Sequence, residues 1–506
     1  MQRIDGCNFK DIKLKRSDKC VPLLAVISKI VIDKEIVPID PLLLFQRISI
    51  VKSSDEELEE FLQYELAPFP LSLFDESGMR KNVKSQLYSI FTPSPSNTLN
   101  TLNNGTFVID GGMLLHRVPW KINEKFASIC HTYVLYVRRN YKENVIVVFD
   151  GYNFKSTKSA ERNRRNRKQK CADIFFNENI PITVAQEKFL SNENNKTSFI
   201  KLLSQELKNN NITVIEAPDD ADTIIVQTAL SQTASPVLIV SEDIDVLVIL
   251  AALCPIEKVV YFIKPGKGKT ETSIYSSTDM LQSYPQSKKY ILFLHAFTGC
   301  DTTSAFFNHG KNTFIKKFEN NKTLHIMADI FYKKNSSNED IFDAGEQCTL
   351  ILYGASKSDN NLNKYRYKCF VRGVCKRRKM SLAFLPPTDD AARQHFKRVY
   401  FQVQQWLGEG ETLSANDWGW IEKDYLHPIS MTKSPAPEKL LRTLFCSCKS
   451  GCENNCGCKK TGLYCSNACL TCSGVDCLNT PIIDDFIETS STDTVDDVPE
   501  AEEATF

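Results

Sequence analysis

No stretch of this 506-residue chain approaches the roughly 18 consecutive uncharged apolar residues that a bilayer span requires, so membrane insertion is not expected. The opening residues, MQRIDGCNFK, hold no apolar h-region, which argues against a secretory leader and makes sequons such as NKT at 195–197 incidental. Basic residues vanish near the end: residues 480–506 carry nine acids and no Lys or Arg. Taking those nine from the 61 acids leaves 52 against 62 basic side chains over residues 1–479, a balance of +10 that the whole-chain value of +1 hides. Such a body suits a nucleic-acid partner without requiring one. The tail, 481–506, is expected to be solvated and disordered.

Cysteine is solitary over most of the chain. Nine of the 18 crowd between Cys446 and Cys477. In a chain expected to be intracellular, a local cluster of that kind favours metal over disulfides.

Residues 1–104 mix apolar patches with an acidic helical stretch, SSDEELEEFLQYEL, and show no evident chemistry. The polar run TPSPSNTLNTLNNG, 92–105, reads as a boundary. Beyond it, β-rich runs alternate with helical periodicity, which predicts an α/β fold: a mainly parallel sheet with helices on both faces. TFVID ends at Asp110, NVIVVFDG reaches Asp150, NITVIEAPDDAD carries Asp220 and Asp222, and PVLIVSEDID carries Asp243 and Asp245. Ligands of such sheets bind beyond the carboxyl ends of the strands. Residues 321–440 read as mostly helical and end in a linker, TKSPAPEKLL, ahead of the cysteine segment 441–480.

A single DxD is weak evidence, since acids also favour the first turn of a helix. Repetition at four strand ends is another matter. Gathered in one cleft without cations, these carboxylates would raise one another's pKa values and cost stability. Hard oxygen donors suit Mg²⁺ or Mn²⁺.

The ordered series VID, VFDG, APDDAD, SEDIDVL and TGCDTT resembles the flap-endonuclease branch of the PIN-like nucleases, over residues 105–320. The resemblance implies a nuclease domain in which Asp110, Asp150, Asp220 and Asp222 serve one divalent ion and Asp243, Asp245 and Asp301 a second. It further implies hydrolysis of DNA phosphodiesters by two ions. Three departures stand out: Asp220 and Asp222 replace the family's glutamates, the region before residue 105 is unrelated to the family's, and FFNHGKNTFIKKF stands where the family has a metal-binding helix-turn after GCD.

Basic residues follow the FDG. Lys155, Lys158, Arg162 and Arg165 fall at helical spacing on one face. A solvated surface would account for them; the resemblance implies instead a basic arch that grips single-stranded DNA through its phosphates. PGKGKT, 265–270, lacks the earlier Gly of a Walker A loop and reads as a basic turn. CKRRKM, 375–380, fits a nuclear-localisation run and an ordinary surface equally well.

In the cysteine segment, Cys446, Cys448, Cys452, Cys456, Cys458, Cys465, Cys469, Cys472 and Cys477 lie in a stretch too poor in apolar residues to fold alone. Zinc thiolates supply such folding energy. Nine sulfurs are too few for three separate four-cysteine sites, so shared sulfurs are implied. The spacing resembles the CXC domain of tesmin-like and chromatin-associated proteins, which implies three Zn²⁺ and DNA contacts through Lys449, Lys459, Lys460 and Tyr464. The family's LYC minor-groove element is replaced by NNC at 454–456. The combination also resembles multicopy, mobile-element-derived proteins of invertebrate genomes. Three functions follow as expectations: a nuclear, structure-specific DNA nuclease; a catalytically inactive DNA- or chromatin-binding protein; and an RNA-directed PIN-like nuclease.

Overall fold

Six β-branched or aromatic runs, Thr106–Asp110 (β1), Val145–Phe149 (β2), Thr213–Glu216 (β3), Val237–Val240 (β4), Val260–Lys264 (β5) and Ser273–Ser276 (β6), form one sheet in the order β6-β5-β4-β1-β2-β3. The first five strands are parallel to their neighbours and β6 closes one edge antiparallel to β5. The computed structural model describes residues 29–32, 35–38, 55–95, 98, 102, 105–151, 156–166, 171–268, 270–375 and 381–437, then 456–460, 465 and 479. Residues 1–437 make one compact unit and 438–506 a second.

The parallel pairing needs crossovers, and helices supply them on both faces. Alternation along the strands divides the core in two. Phe107 and Ile109 of β1, Val147 and Phe149 of β2, and Leu238 and Val240 of β4 pack with helices Gly111–Arg117, Phe126–Tyr141 and Glu193–Asn209. Val108, Val148, Val237 and Ile239 point the other way, against helices Ala221–Ser231, Ile244–Leu253 and Ile291–Phe297. The α/β architecture expected from the sequence is the one observed.

The second core extends well beyond the sheet. Helices Lys322–Tyr332, Asn338–Tyr353, Leu362–Cys375 and Asp389–Trp406 pack into it, as do Leu73, Phe74, Met79, Leu87, Ile90 and Phe91. Thr388 caps the last of these helices by accepting from Ala391 N, just past the prolines that keep the preceding residues extended. The aromatic run near 420 forms a short hairpin, Trp420–Glu422 with Leu426–Pro428. Among the described residues no helix is long and apolar enough to cross a membrane.

Register sets what faces the cleft. Ile109 pairs with Val240 and Asp110 with Val148, so β1, β2 and β4 end side by side. Each chain then leaves the sheet into a helix or turn at the same edge, which is where the aspartates lie.

Candidate metal and nucleic-acid site

Asp110 and Asp243 occupy the N-cap positions of their helices. Asp110 accepts from Met113 N at 3.1 Å and Asp243 from Asp245 N at 2.9 Å. Asp220 holds the equivalent place before Ala221–Ser231 without a side-chain capping bond. Asp150, one residue past β2, accepts from Ala221 N at 3.0 Å and so ties two strand ends together. Ser241, the residue after β4, donates to Asp110 at 2.6 Å. Capping is therefore part of what these acids do, and three helix N-termini aim their partial positive charge at the cluster.

Capping does not account for all of them. Carboxylate oxygens of Asp222, Asp243 and Asp245 lie within 4.8 Å of one another. Six of the seven expected acids, all but Asp245, line one cleft of about 670 Å³. Asp245 sits just behind it, fully buried. Gly112 borders the same space; a Cβ there would stand 3.1 Å from Asp110 Oδ1 and 3.5 Å from Asp150 Oδ2.

Two lysines reach into this cluster. Lys158 Nζ bridges Asp220 at 2.5 Å and Asp222 at 2.6 Å, and Lys84 Nζ bridges Asp245 at 2.9 Å and Asp301 at 2.8 Å. Behind Asp245 the buried His295 makes a 2.8 Å hydrogen bond to its other oxygen, and Lys311 lies 3.3 Å from the far ring nitrogen.

The charges are uneven across the site. Burial, reinforced by Asp220, drives Asp222 well above the ordinary carboxylate range, and burial reinforced by Asp245 does the same to Asp243. Asp245 goes the other way: burial opposes its charge, but Lys84 and His295 outweigh it and hold it well below. Asp110 is raised by burial against the relief of its Ser241 hydrogen bond. Within the cluster the seven acids outnumber the two lysines that reach them. An all-oxygen donor set of this kind fits a hard divalent ion such as Mg²⁺ or Mn²⁺, which keeps waters for substrate oxygens.

The rest of the cleft carries both signs, with Glu161, Glu193 and Glu242 beside several basic side chains. Arg117, Arg162, Lys196 and Lys267 line it together with the acids. Arg117 donates to the carbonyls of Pro265 and Gly266, each at 2.6 Å, and pairs with Glu242; this anchors the basic turn expected at 265–270 against the cleft. Arg162 lies 3.6 Å from Asp219. Helix Ser159–Asn166 begins one residue after Lys158, so Lys158 stands in the preceding turn and faces the acids rather than sharing a solvated helical stripe. Lys155 and the side chain of Arg165 lie outside the described residues.

Sequence reading missed Lys84, His295 and Lys311 altogether. Lys84 belongs to the region with no evident chemistry, and the three positions share no local spacing that would group them.

In the second unit, Cys456, Cys458 and Cys465 are buried with their sulfurs within 4.8 Å of one another. Cys456 Sγ is 3.6 Å from Cys465 Sγ. Two thiolates on a tetrahedral zinc at about 2.3 Å stand roughly 3.8 Å apart, so the three sulfurs fit one such ion. Asn479 Nδ2 donates to Cys465 Sγ at 3.5 Å. Lys459 is exposed on the short helix Gly457–Lys460. Cys446, Cys448, Cys452, Cys469, Cys472, Cys477, Lys449, Tyr464 and the side chain of Lys460 lie outside the described residues.

Residues 1–65 match the model of a domain of unknown function (DUF8702). No curated protein matches the chain. Among solved structures it is similar to the catalytic core of Rad2 in complex with DNA substrate, at 15% identity over 63% of this chain and 96% of that one, TM-score 0.33. It is similar also to a eukaryotic junction-resolving enzyme, GEN-1, at 13% identity over 65% and 78%, TM-score 0.31. Flap endonuclease-1 from Methanococcus jannaschii is a third, at 15% identity over 60% and 94%, TM-score 0.31.

Proposed function

We propose that this chain is a divalent-metal-dependent nuclease acting on DNA. One observation carries the reading: aspartates from five separate points of the chain line a cleft that Arg117, Arg162, Lys196 and Lys267 also line, together with Glu161, Glu193 and Glu242. A phosphodiester is an anion that needs both the basic and the acidic groups, one set to hold it and one to activate attack on phosphorus. When bound, a divalent ion supplies an acidified water and neutralises charge on the leaving oxygen.

Asp222 and Asp243 would hold the ion, with Asp110, Asp150 and Asp220 reaching it directly or through water. Gly112 leaves the space over Asp110 and Asp150 open to a phosphate. Arg162, Lys196 and Lys267 would position the strand by its phosphates, which reads backbone and not sequence. The second unit would hold three Zn²⁺ on its nine cysteines and contribute DNA contacts through Lys449, Lys459, Lys460 and Tyr464. The basic body and this pairing of units suit a nuclear protein.

Asp220 and Asp222 are one methylene shorter than glutamates, so the ion's shell is looser on that side. Mn²⁺ tolerates irregular geometry better than Mg²⁺. Cleavage of flap, fork and single-stranded DNA should therefore be faster in Mn²⁺, at least about 100-fold slower in Asp243→Ala, and shifted toward Mg²⁺ in Asp220→Glu. RNA in the same panel tests the RNA-directed alternative.

The inactive, DNA-binding reading has its own support: Lys84 and Lys158 each span two of the acids. A protein that binds no divalent ion at millimolar concentration, and whose Asp243→Ala variant melts higher regardless of metal, would establish that reading instead. Zinc analysis of the full chain should give three ions, and one or none would remove the second unit from the proposal.

A further inference from the structure

The seven acids divide unequally between their cations. Asp245 is the most completely occupied: His295 holds Oδ1, Lys84 holds Oδ2, and its own backbone N–H is given to Asp243. Asp301 Oδ1 meets the same ammonium at 2.8 Å. A single Nζ thus stands between two of the three carboxylates to which the resemblance assigns a second divalent ion, Asp243 being the third.

Lys84 is not a loose surface side chain that happens to fall there. It opens the 3-10 helix Lys84–Ile90, whose Leu87 and Ile90 are buried. The residues just before it are stapled to the turn that bears Asp301. Lys81 Nζ donates to the carbonyls of Cys300 at 3.1 Å and Asp301 at 2.8 Å, and Asn82 Nδ2 donates to Thr298 O at 3.0 Å. On the far side Tyr88 donates to Glu242 O at 3.1 Å and Asn312 Nδ2 to Ser89 Oγ at 2.8 Å. Asp245 is fixed as firmly from behind, through His295 and Lys311. Both ends of the Lys84–Asp245 contact are therefore built into the fold.

Lys158 is positioned differently. It spans Asp220 and Asp222 from the turn ahead of an eight-residue helix, with Ser156 Oγ accepting from its backbone N–H. Ser156, Thr157 and Ser159 beside it are buried, and Asp222 and Asp243 still line the open cleft, with oxygens within 4.8 Å of one another.

We propose that Lys84 takes the cation position between Asp245 and Asp301, so that this chain holds one divalent ion, on the Asp222–Asp243 side, where the resembled nucleases hold two. The ammonium supplies fixed positive charge at that point without exchanging with solvent ions. This rests on the nuclease reading above and sets its ion count at one.

The test is a Mn²⁺ titration of the full-length, zinc-loaded protein, counted by loss of the free-ion EPR signal, with the bound-ion spectrum recorded at saturation. One magnetically isolated Mn²⁺ per chain is expected, rising to an exchange-coupled pair in Lys84→Met. Asp301→Asn should still bind one ion with affinity within about 3-fold of the wild type, and it decides the matter if Lys84→Met does not fold. A coupled pair in the wild type, or a loss beyond 10-fold in Asp301→Asn, overturns the proposal and leaves the nuclease reading standing. A folded Lys84→Met chain that still takes one ion removes Lys84 as the cause. No bound Mn²⁺ at all defeats both readings.

Discussion

His295 is held between two charged groups: Nε2 lies 2.8 Å from Asp245 Oδ1, and Lys311 Nζ lies 3.3 Å from Nδ1. Asp245 is held ionised and can only accept, so the proton sits on Nε2, facing it, and Nδ1 accepts from Lys311, which burial lowers to about 7. Burial pushes the imidazole down to about 4, which keeps it neutral near pH 7. Lys311 also donates to the carbonyls of His295 and Gly299 and to Thr298 Oγ1.

Cutting this chain should be expensive. His295→Ala leaves a buried carboxylate oxygen of Asp245 short of a partner, while Lys311 keeps three acceptors, and should cost about 2–4 kcal/mol in urea denaturation. Glutamine offers a donor and an acceptor at similar reach, so His295→Gln should recover at least half of the loss. Equal losses in both variants would mean that ring packing against Trp406, at a centroid distance of 5.7 Å, is the larger contribution.

A second buried pair joins the segment after helix Asp55–Leu62 to the helical region. Arg366 lies 3.4 Å from Glu65 Oε2 and donates to the carbonyls of Leu62, Glu65 and Pro386, while Glu65 Oε1 accepts from Thr388 N and Oγ1. Arg366→Met strands the glutamate and should cost about 3–5 kcal/mol. The double change with Glu65→Gln should recover part of that, and a simple sum of the two single losses would exclude coupling between them.

Acid sensitivity should trace in part to His395. Burial, then the nearby Arg398, lowers it to about 3, and its Nε2 faces Phe297 O at 3.1 Å. The unfolded chain binds a proton there near pH 6.5, whereas the folded chain binds it only near 3. Between those values unfolding takes up a proton. The contribution is therefore complete above about pH 6.5 and falls by about 1.4 kcal/mol per pH unit on acidification. Urea midpoints from pH 7 to 4 should show a shallower fall in His395→Leu; parallel curves would refute the assignment.

The basic residues of the cleft should be visible in salt dependence. Single-stranded DNA binding by the combined Arg162→Ala, Lys196→Ala and Lys267→Ala variant should lose about 2 from the slope of log K against log salt, roughly 0.7 for each phosphate contact. An unchanged slope would make these residues ordinary surface charge.

The legible part of this molecule was its local part. Four apolar runs, each ending at an aspartate or in a turn that bears one, announce strands, a parallel sheet and a shared edge, because alternation and strand-end chemistry are both written within a few residues. Asp110, Asp150, Asp220, Asp222 and Asp243 were found that way, Asp301 through the resemblance to the flap-endonuclease motifs, and all six line one cleft. The counter-charges were illegible for the converse reason. Lys84 reaches Asp245 across 161 residues, and a lone lysine among 62 basic side chains carries no period or flank to mark it. Lys158 shows the limit from the other side. Its spacing to Arg162 is helical, yet the helix starts at Ser159, and attraction to Asp220 and Asp222 sets its direction.

The staple from Lys81 to the Asp301 turn also orders events during synthesis. Its partners are 220 residues apart, and at 5–20 residues per second a ribosome needs roughly 10–45 s to deliver the second after the first. The sheet's inner strands emerge within that interval and can pair, but the residues around Lys84 must wait for a surface that does not yet exist. Long-range closures of this kind are slow to form. The cation between Asp245 and Asp301 therefore settles only once the 298–301 turn has been made, and until then a nascent chain has Lys158 for Asp220 and Asp222 but carries Asp245 without the Lys84 charge.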